Sequence, residues 1–406
     1  MVGNKTKSAL QGVRILECAE LVSGPYCAKL LGDLGAEVIK IEKPEKGDAA
    51  RTRGPFPNDI AHPERSGLYL YLNTNKLGIT LDLEKKPGRE ILFELVRRAD
   101  ILIEDMPLKL KEKMGMNYNI LKNINSRLIV TSISPFGQTG PYADYKASYL
   151  NSYHIGHLGY LTPSDSPNMD REPLKAGGMF GEYCCGLSSA LATLAGLNAR
   201  EHTDKGQHVD VSKQESLIDL ERYLAAFYPN EGQNPTRLPK QTGMGGIFRC
   251  KNGHVMVNFI EDYQWQGLIK LLGYPLWAED DRFKERKSRA EHYPEIKQFL
   301  AKWMENQPKE KVYHEGQKCG CVTAAVLSTK EIYLSQQAKS RGLFAGIDHP
   351  MAGKLMYPTV PYHFSETPWS ARRHAPLLGE HNEEIYCNRL GYTGKQVDDL
   401  KKRRII

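Results

Sequence analysis

Several things are missing from this chain, and each absence removes a class of function. Its eight cysteines form no C-x-x-C pair, only the adjacent Cys184-Cys185 and the C-x-C of Cys319 and Cys321. Zinc ribbons and dithiol redox sites are excluded by that spacing, and the thiols are expected to be reduced, mostly buried small residues. No apolar run follows the basic start MVGNKTKSAL, so no signal peptide is read there. The stretch CCGLSSALATLAGLNA is too short and too rich in Ser, Thr and Gly to span a bilayer. A soluble, cytoplasmic protein with no membrane partner is expected. No internal repeat or low-complexity segment is found. The net charge of +7 is spread out, apart from the KKRR at 401–404, which reads as a solvated helix end. Nucleic acid is therefore not an expected partner, whereas a phosphorylated small molecule fits the charge.

At 406 residues there is enough chain for two or three domains. GVRILEC at 12–18 reads as a buried strand, and AEVIKIE at 36–42 as a second. Between them, Ser23 is placed to cap a helix with Pro25 in its first turn and Gly35 at its end. Helix-like PGREILFELVRRAD, strand-like ILIED and RLIVTSIS continue the alternation, which predicts an α/β fold with a parallel, doubly wound sheet. The first turn, ELVSGPY, lacks the G-x-G-x-x-G of dinucleotide sites, so a nicotinamide or flavin reading has no fingerprint. GEYCCGLSSALATLAGLNARE at 181–201 reads as one long buried helix with Leu187, Leu191, Leu194 and Ala195 on its apolar face. After residue 230 the pattern changes. IFRCKNGHVMVNF predicts a hairpin around Asn252-Gly253, helical segments follow to about 316, and HPMAGKLMYPTVPYHFS returns to strand and turn.

Chemistry concentrates on Glu182, alone among glycines and small residues in GGMFGEYCCG, with no basic residue within six positions. One reading is a first-turn glutamate that complements the helix dipole. The other is a carboxylate nucleophile, flanked by glycines that let a substrate approach, in a site that keeps water from an anhydride. The pattern leaves both open. Backbone N–H groups of Gly24, Pro25 and Tyr26 in the first turn are candidates for an oxyanion site. His154 and His157 in SYHIGHLGY have i, i+3 spacing but no acidic or third histidine ligand beside them. They are read as structural, and no metal is expected.

GVRILECAELVSGPYCAKLLGDLGAEVIKIEKPEKGDAAR resembles the N-terminal signature of the family III CoA-transferases. ISPFGQTGPYAD, ALATLAGLNAREHTDKGQHVDVS, FRCKNGHVMVN, the HP-x-x-G turn at His349 to Gly353 and APLLGEHNEE extend the resemblance, in order, over almost the whole chain. It implies a Rossmann-like large domain built from both chain ends and a smaller α+β middle domain. The implied monomer is an open ring, two of which interlock as a homodimer. The segments implied are 1–205 for the first part of the large domain, 206–229 for a linker helix, 230–325 for the small domain and 326–406 for the return. It also implies transfer of coenzyme A from an acyl-CoA to a carboxylic acid, with CoA as substrate and no permanently bound cofactor. The family motif G-D-x-x-x-G aligns with Gly181 to Gly186, which puts Glu182 where the family has its nucleophilic aspartate. The resemblance places CoA contacts at Lys43, Arg51, Asp105, Met106, Lys113 and Met114, although an aspartate at 105 is a poor neighbour for phosphates. It places the acyl pocket at Val22, Ser23, Gly24, Phe136 and His154, under a glycine-rich lid, TGMGG, that contains Gly245 and Gly246. The α-methylacyl-CoA racemases of the same superfamily carry a histidine where this chain has Ser148, so racemisation is the alternative and transfer the expectation. A CoA-binding protein in which Glu182 is inactive is the third reading.

Overall fold

The computed structural model describes residues 8–163, 168, 170–237 and 244–406. The chain forms two compact units: Met1–Pro163, Asp170–Pro235 and Gly342–Ile406 make the first, and Ser164–Met169 with Thr236–Arg341 the second. The divisions fall at 235 and 341, so β6 (His208–Ser212), in the segment assigned to a linker helix, is an edge strand of the large sheet. Residues 326–341 stay with the second unit.

In the first unit, β1 (Arg14–Cys18), β2 (Glu37–Glu42), β3 (Lys76–Thr80), β4 (Ile101–Glu104), β5 (Ile129–Ser134) and β6 form one parallel sheet in the order β3-β2-β1-β4-β5-β6. This is the doubly wound arrangement, whose order reverses between β1 and β4. The inner strands are buried on both faces, whereas the edge strand β6 is partly exposed, with Asp210 facing solvent. The helices used below are α1 (Ser23–Asp33), α2 (Lys86–Val96), α3 (Leu108–Met114), α4 (Tyr149–Ile155), α5 (Phe180–Thr203) and α6 (Lys213–Leu220). One core joins β1 to β4 with α2, and another joins α1 and α5 to the opposite face.

The long helix α5 buries only part of the apolar face expected of it: Leu194 packs against the core, but Leu187, Leu191 and Ala195 do not. Leu187 is 58% and Leu191 70% exposed, whereas Cys185, Gly186, Ser189, Ala190 and Thr193 are buried. The reason is close packing against α1. A Cβ at Gly186 would lie 2.7 Å from the Ser23 carbonyl, so only a face of small residues brings the helices this near.

The second unit carries an antiparallel sheet of β7 (Gly245–Cys250), β8 (Gly253–Asn258) and β9 (Val322–Ala325). The expected hairpin is present, but it turns at Lys251-Asn252, and Gly253 is the first residue of β8, paired with Cys250. Helices α7 (Asp262–Leu271), α8 (Tyr293–Met304) and α9 (Lys309–Lys318) surround a core of Phe248, Val255, Val257, Trp265, Leu268 and Ile296. The chain then returns to the first unit through the hairpin of β10 (Phe344–His349) and β11 (Gly353–Pro358) and ends in α10 (Gly394–Lys402), whose last residues are exposed. Among the described residues no helix is long and apolar enough to cross a membrane, all eight cysteines are free, and no group of His, Cys, Asp or Glu is placed to hold a metal.

Candidate active site

Parallel strands bring their carboxyl ends to one edge, and helices that follow them start there. Three sequence-distant segments meet at this edge: the turn from β1 into α1, the first turn of α5, and the junction of β6 with α6. Glu182 sits in the first turn of α5 and is 7% exposed. Its Oε2 accepts from Ser23 Oγ at 2.5 Å and from Lys213 Nζ at 2.7 Å. Among the described residues Oε1 has no hydrogen-bond partner. The carboxylate is thus held at one oxygen and left unengaged at the other.

Ser23 does not cap α1 as its position predicts. Val22 is the capping residue, with no side-chain bond, and the Ser23 hydroxyl turns across to Glu182. Of the three residues read as oxyanion donors, Pro25 has no N–H and the Tyr26 N–H is bonded to Val22 O at 2.8 Å. Only Gly24 keeps the role open. Gly24 also has to be glycine, because a Cβ there would meet Ala19 Cβ at 2.3 Å. Val22 is buried.

Lys213 is the partner that the sequence reading missed. It is the first residue of α6, immediately after Ser212, whose side chain caps that helix. A cation at a helix start opposes the dipole, and this local misfit is the signal that could have singled it out. Burial alone would lower its pKa, but Glu182, and next Asp105, outweigh burial and raise it, so Lys213 stays cationic.

The turn that carries Ser23 is strained and heavily anchored. Leu21 has φ +64°, a left-handed conformation that costs a non-glycine residue about 1 kcal/mol or more. Lys40 Nζ holds Ala19 O at 3.0 Å, Asp48 Oδ1 accepts from Leu21 N at 2.9 Å, Lys76 Nζ holds Pro25 O at 2.9 Å, and Asp105 Oδ2 accepts from Glu20 N at 3.0 Å. Beneath it lies a sealed ionic network. Lys40 is 2.8 Å from Glu17 and 2.7 Å from Asp48, and Lys76 is 2.7 Å from the other Glu17 oxygen. The Asp48 Oδ2 and Glu17 Oε2 contacts are ion pairs rather than well-angled hydrogen bonds. Burial lowers the Lys76 pKa to about 8, with Glu17 opposing it and Lys40 adding to it.

A cleft of about 390 Å³ opens at the carboxyl ends of β1, β2, β3 and β4, at the switch point. It is lined by Lys43, Asp105, Met106 and Met114 among the expected CoA contacts. Lys43 Nζ lies 2.7 Å from Glu84, and both side chains are accessible. Burial, with Glu104 and Glu20 nearby, pushes Asp105 up to about 8 against the Glu20 N–H and Lys213. Lys113 is exposed in the last turn of α3. Arg51 does not share this setting. It is 1% exposed, and its guanidinium is bound to both Glu42 oxygens (2.7 and 2.8 Å), Glu64 (2.6 Å), Tyr69 (2.6 Å) and Pro376 O (3.1 Å). Those partners occupy the guanidinium on every side that the structure shows. A cavity of about 310 Å³ at the opposite, amino-terminal edge of the sheet is remote from Glu182's edge.

Phe136 follows β5 and packs edge-on with Tyr142 and Tyr145. His154 lies in the last turn of α4, but His157 starts a separate short helix at φ +76°, so the two do not share a helix face. Gly245 and Gly246 are strand residues of β7 in the second unit, paired with Asn258 and Val257 rather than looped. Thr242 and Gly243 of the same motif lie outside the described residues.

A family model described as CoA-transferase family III matches residues 10–382. A formyl-CoA:oxalate CoA-transferase of Streptomyces coelicolor is 32% identical, over 99% of this chain and 100% of that protein. The succinyl-CoA–L-malate CoA-transferase beta subunit of Chloroflexus aurantiacus is 29% identical, with both chains covered in full. The crystal structure of a CaiB/BaiF family protein from Brucella suis superposes with a TM-score of 0.83 at 29% identity, over 94% of this chain and 99% of that one.

Proposed function

The chain belongs to CoA-transferase family III, and from that membership we propose that Glu182 is the nucleophile of a CoA transfer between two carboxylic acids. Glu182 attacks the acyl-CoA carbonyl, expels CoA thiolate and forms a mixed anhydride. The thiolate then attacks the glutamyl carbonyl, releases the donor acid and leaves a glutamyl-CoA thioester. An acceptor carboxylate resolves that thioester through the reverse sequence. The observation that carries the reading is the asymmetric carboxylate: buried, ionically held at Oε2 and unengaged at Oε1. The switch-point cleft, with Lys43, Met106 and Met114 in its lining and Lys113 close by on α3, is the proposed CoA site. Val22, Ser23, Gly24, Phe136 and His154 are the proposed surroundings of the acyl group. The exposed Leu187 and Leu191 of α5 support the proposal that two chains pair as a homodimer. The names of its relatives point to small acids such as oxalate, malate and succinate as the first substrates to try.

The test is covalent. The protein is incubated with formyl-CoA, oxalyl-CoA or succinyl-CoA, treated with hydroxylamine or borohydride, and digested. A mass change on the peptide that contains Glu182, absent from Glu182→Gln, is expected. An unlabelled peptide together with an active Glu182→Gln protein rules the mechanism out. Exchange of an α-proton in deuterated water without CoA transfer would select racemisation instead.

A further inference from the structure

Glu182 Oε2 has two donors, Ser23 Oγ and Lys213 Nζ, that come from different elements and converge on one atom. Lys213 is 20% exposed along its side chain, and Glu182 is 8% exposed along its own. We propose that Lys213, with Ser23, is a catalytic oxyanion site directed at the glutamyl carbonyl itself, acting when CoA thiolate or the acceptor acid attacks Glu182. The inference rests on Glu182 being the nucleophile and adds a residue with a step-specific role.

The chemistry follows from which oxygen is held. Oε1 attacks the thioester carbon, the C–S bond breaks, and the anhydride contains Oε1 as its bridging oxygen. Oε2 is then the carbonyl oxygen of the glutamyl half. When thiolate adds to Glu182 Cδ, the C–S bond forms, the electron pair moves onto Oε2, and that oxyanion lies against the ammonium of Lys213 and the hydroxyl of Ser23. Collapse breaks the Cδ–Oε1 bond, and the donor acid leaves as a carboxylate that carries Oε1. No proton or outside reactant is needed. The same two donors serve again when the acceptor carboxylate attacks the thioester. In the first step, by contrast, charge develops on the substrate's carbonyl oxygen, which neither donor holds. Donors aimed where charge develops contribute about 10²- to 10³-fold each in rate. In the resting enzyme the Glu182 carboxylate holds the proton on Lys213, so the ammonium is in place before the first step.

The steps separate experimentally. The donor among formyl-CoA, oxalyl-CoA and succinyl-CoA that wild type turns over fastest is mixed with the full-length protein. Released thiol reports anhydride formation, and protein-bound CoA reports the thioester. Lys213→Met is expected to slow CoA loading about 10²-fold, and the thiol burst by less than about 10-fold, so that the anhydride accumulates. Ser23→Ala should act on the same step with a smaller factor, and Lys213→Arg should recover most of the loading rate. These two variants carry the test if Lys213→Met does not fold. Equal slowing of both steps, or CoA loading at the wild-type rate, overturns the role of Lys213 while leaving Glu182 in place. A wild type that never carries CoA on Glu182 removes the nucleophile reading and this inference together.

Discussion

Two of the lysine–carboxylate groups in the first unit are built to opposite ends. Around Lys40 every ionic partner is sealed: Lys40, Glu17 and Lys76 are fully buried, and each ammonium meets three oxygens. Around Lys213 the pair is open on one side, with one carboxylate oxygen doubly held and the other unengaged. A saturated network has no capacity left for a substrate, and its yield is geometry: it fixes the strained turn at Leu21 through Ala19 O, Leu21 N and Pro25 O. The half-saturated pair keeps an oxygen for chemistry. The closed group therefore supports the open one through the turn that carries Ser23.

The comparison breaks first at the closed end. Lys40→Met strands Asp48 without its cation and leaves Glu17 with Lys76 alone, and removal of one partner from a buried pair costs ~3–5 kcal/mol. Urea unfolding should show that loss, and a midpoint within error of wild type would mean that the network is not structural. At the open end, Glu182→Asp should keep stability but lower kcat about 10²-fold, because a side chain shorter by about 1.5 Å withdraws from both Ser23 and Lys213. Unchanged kcat would show that the contacts to Oε2 are dispensable. Between these lies Gly186→Ala, which drives a methyl to 2.7 Å from the Ser23 carbonyl. A loss of ~1–3 kcal/mol is expected, with activity falling as the turn shifts. A neutral result would mean that α1 and α5 have room to separate.

What the sequence revealed follows the same division. The strands, the βαβ unit, the hairpin of β7 and β8 (to within one residue at its turn) and the first-turn place of Glu182 are local patterns, and local patterns are readable. The misreadings all depend on partners distant in sequence. Leu187 and Leu191 looked like the buried stripe because apolar size was counted, whereas close approach to α1 selects the small residues instead. Ser23 read as a cap because the residue it meets lies 159 positions away. Arg51, which the resemblance places among the CoA contacts, is enclosed by Glu42, Glu64 and Tyr69, partners that its own neighbourhood in the sequence does not reveal. Lys213 alone left a local trace, as a cation at a helix start.

Asp105 tests whether the two ends are separate, since it anchors Glu20 N and also acts on Lys213. In the native protein its carboxyl is raised to about 8 by burial, whereas in the unfolded chain it returns to about 3.9. Between those values the native state keeps a proton that the unfolded state has released. Stability from this group is therefore fully present below about pH 4 and is lost as the pH rises through about 8. Asparagine cannot ionise. Asp105→Asn should match wild type near pH 4, gain on it steadily across the window, and hold a constant advantage above about pH 8. Urea midpoints at about pH 4, 6 and 9 measure this directly. A difference that does not grow with pH would mean that Asp105 is already ionised at neutral pH. Lys213 would then face two carboxylates rather than one, and its hold on Glu182 Oε2 would be shared.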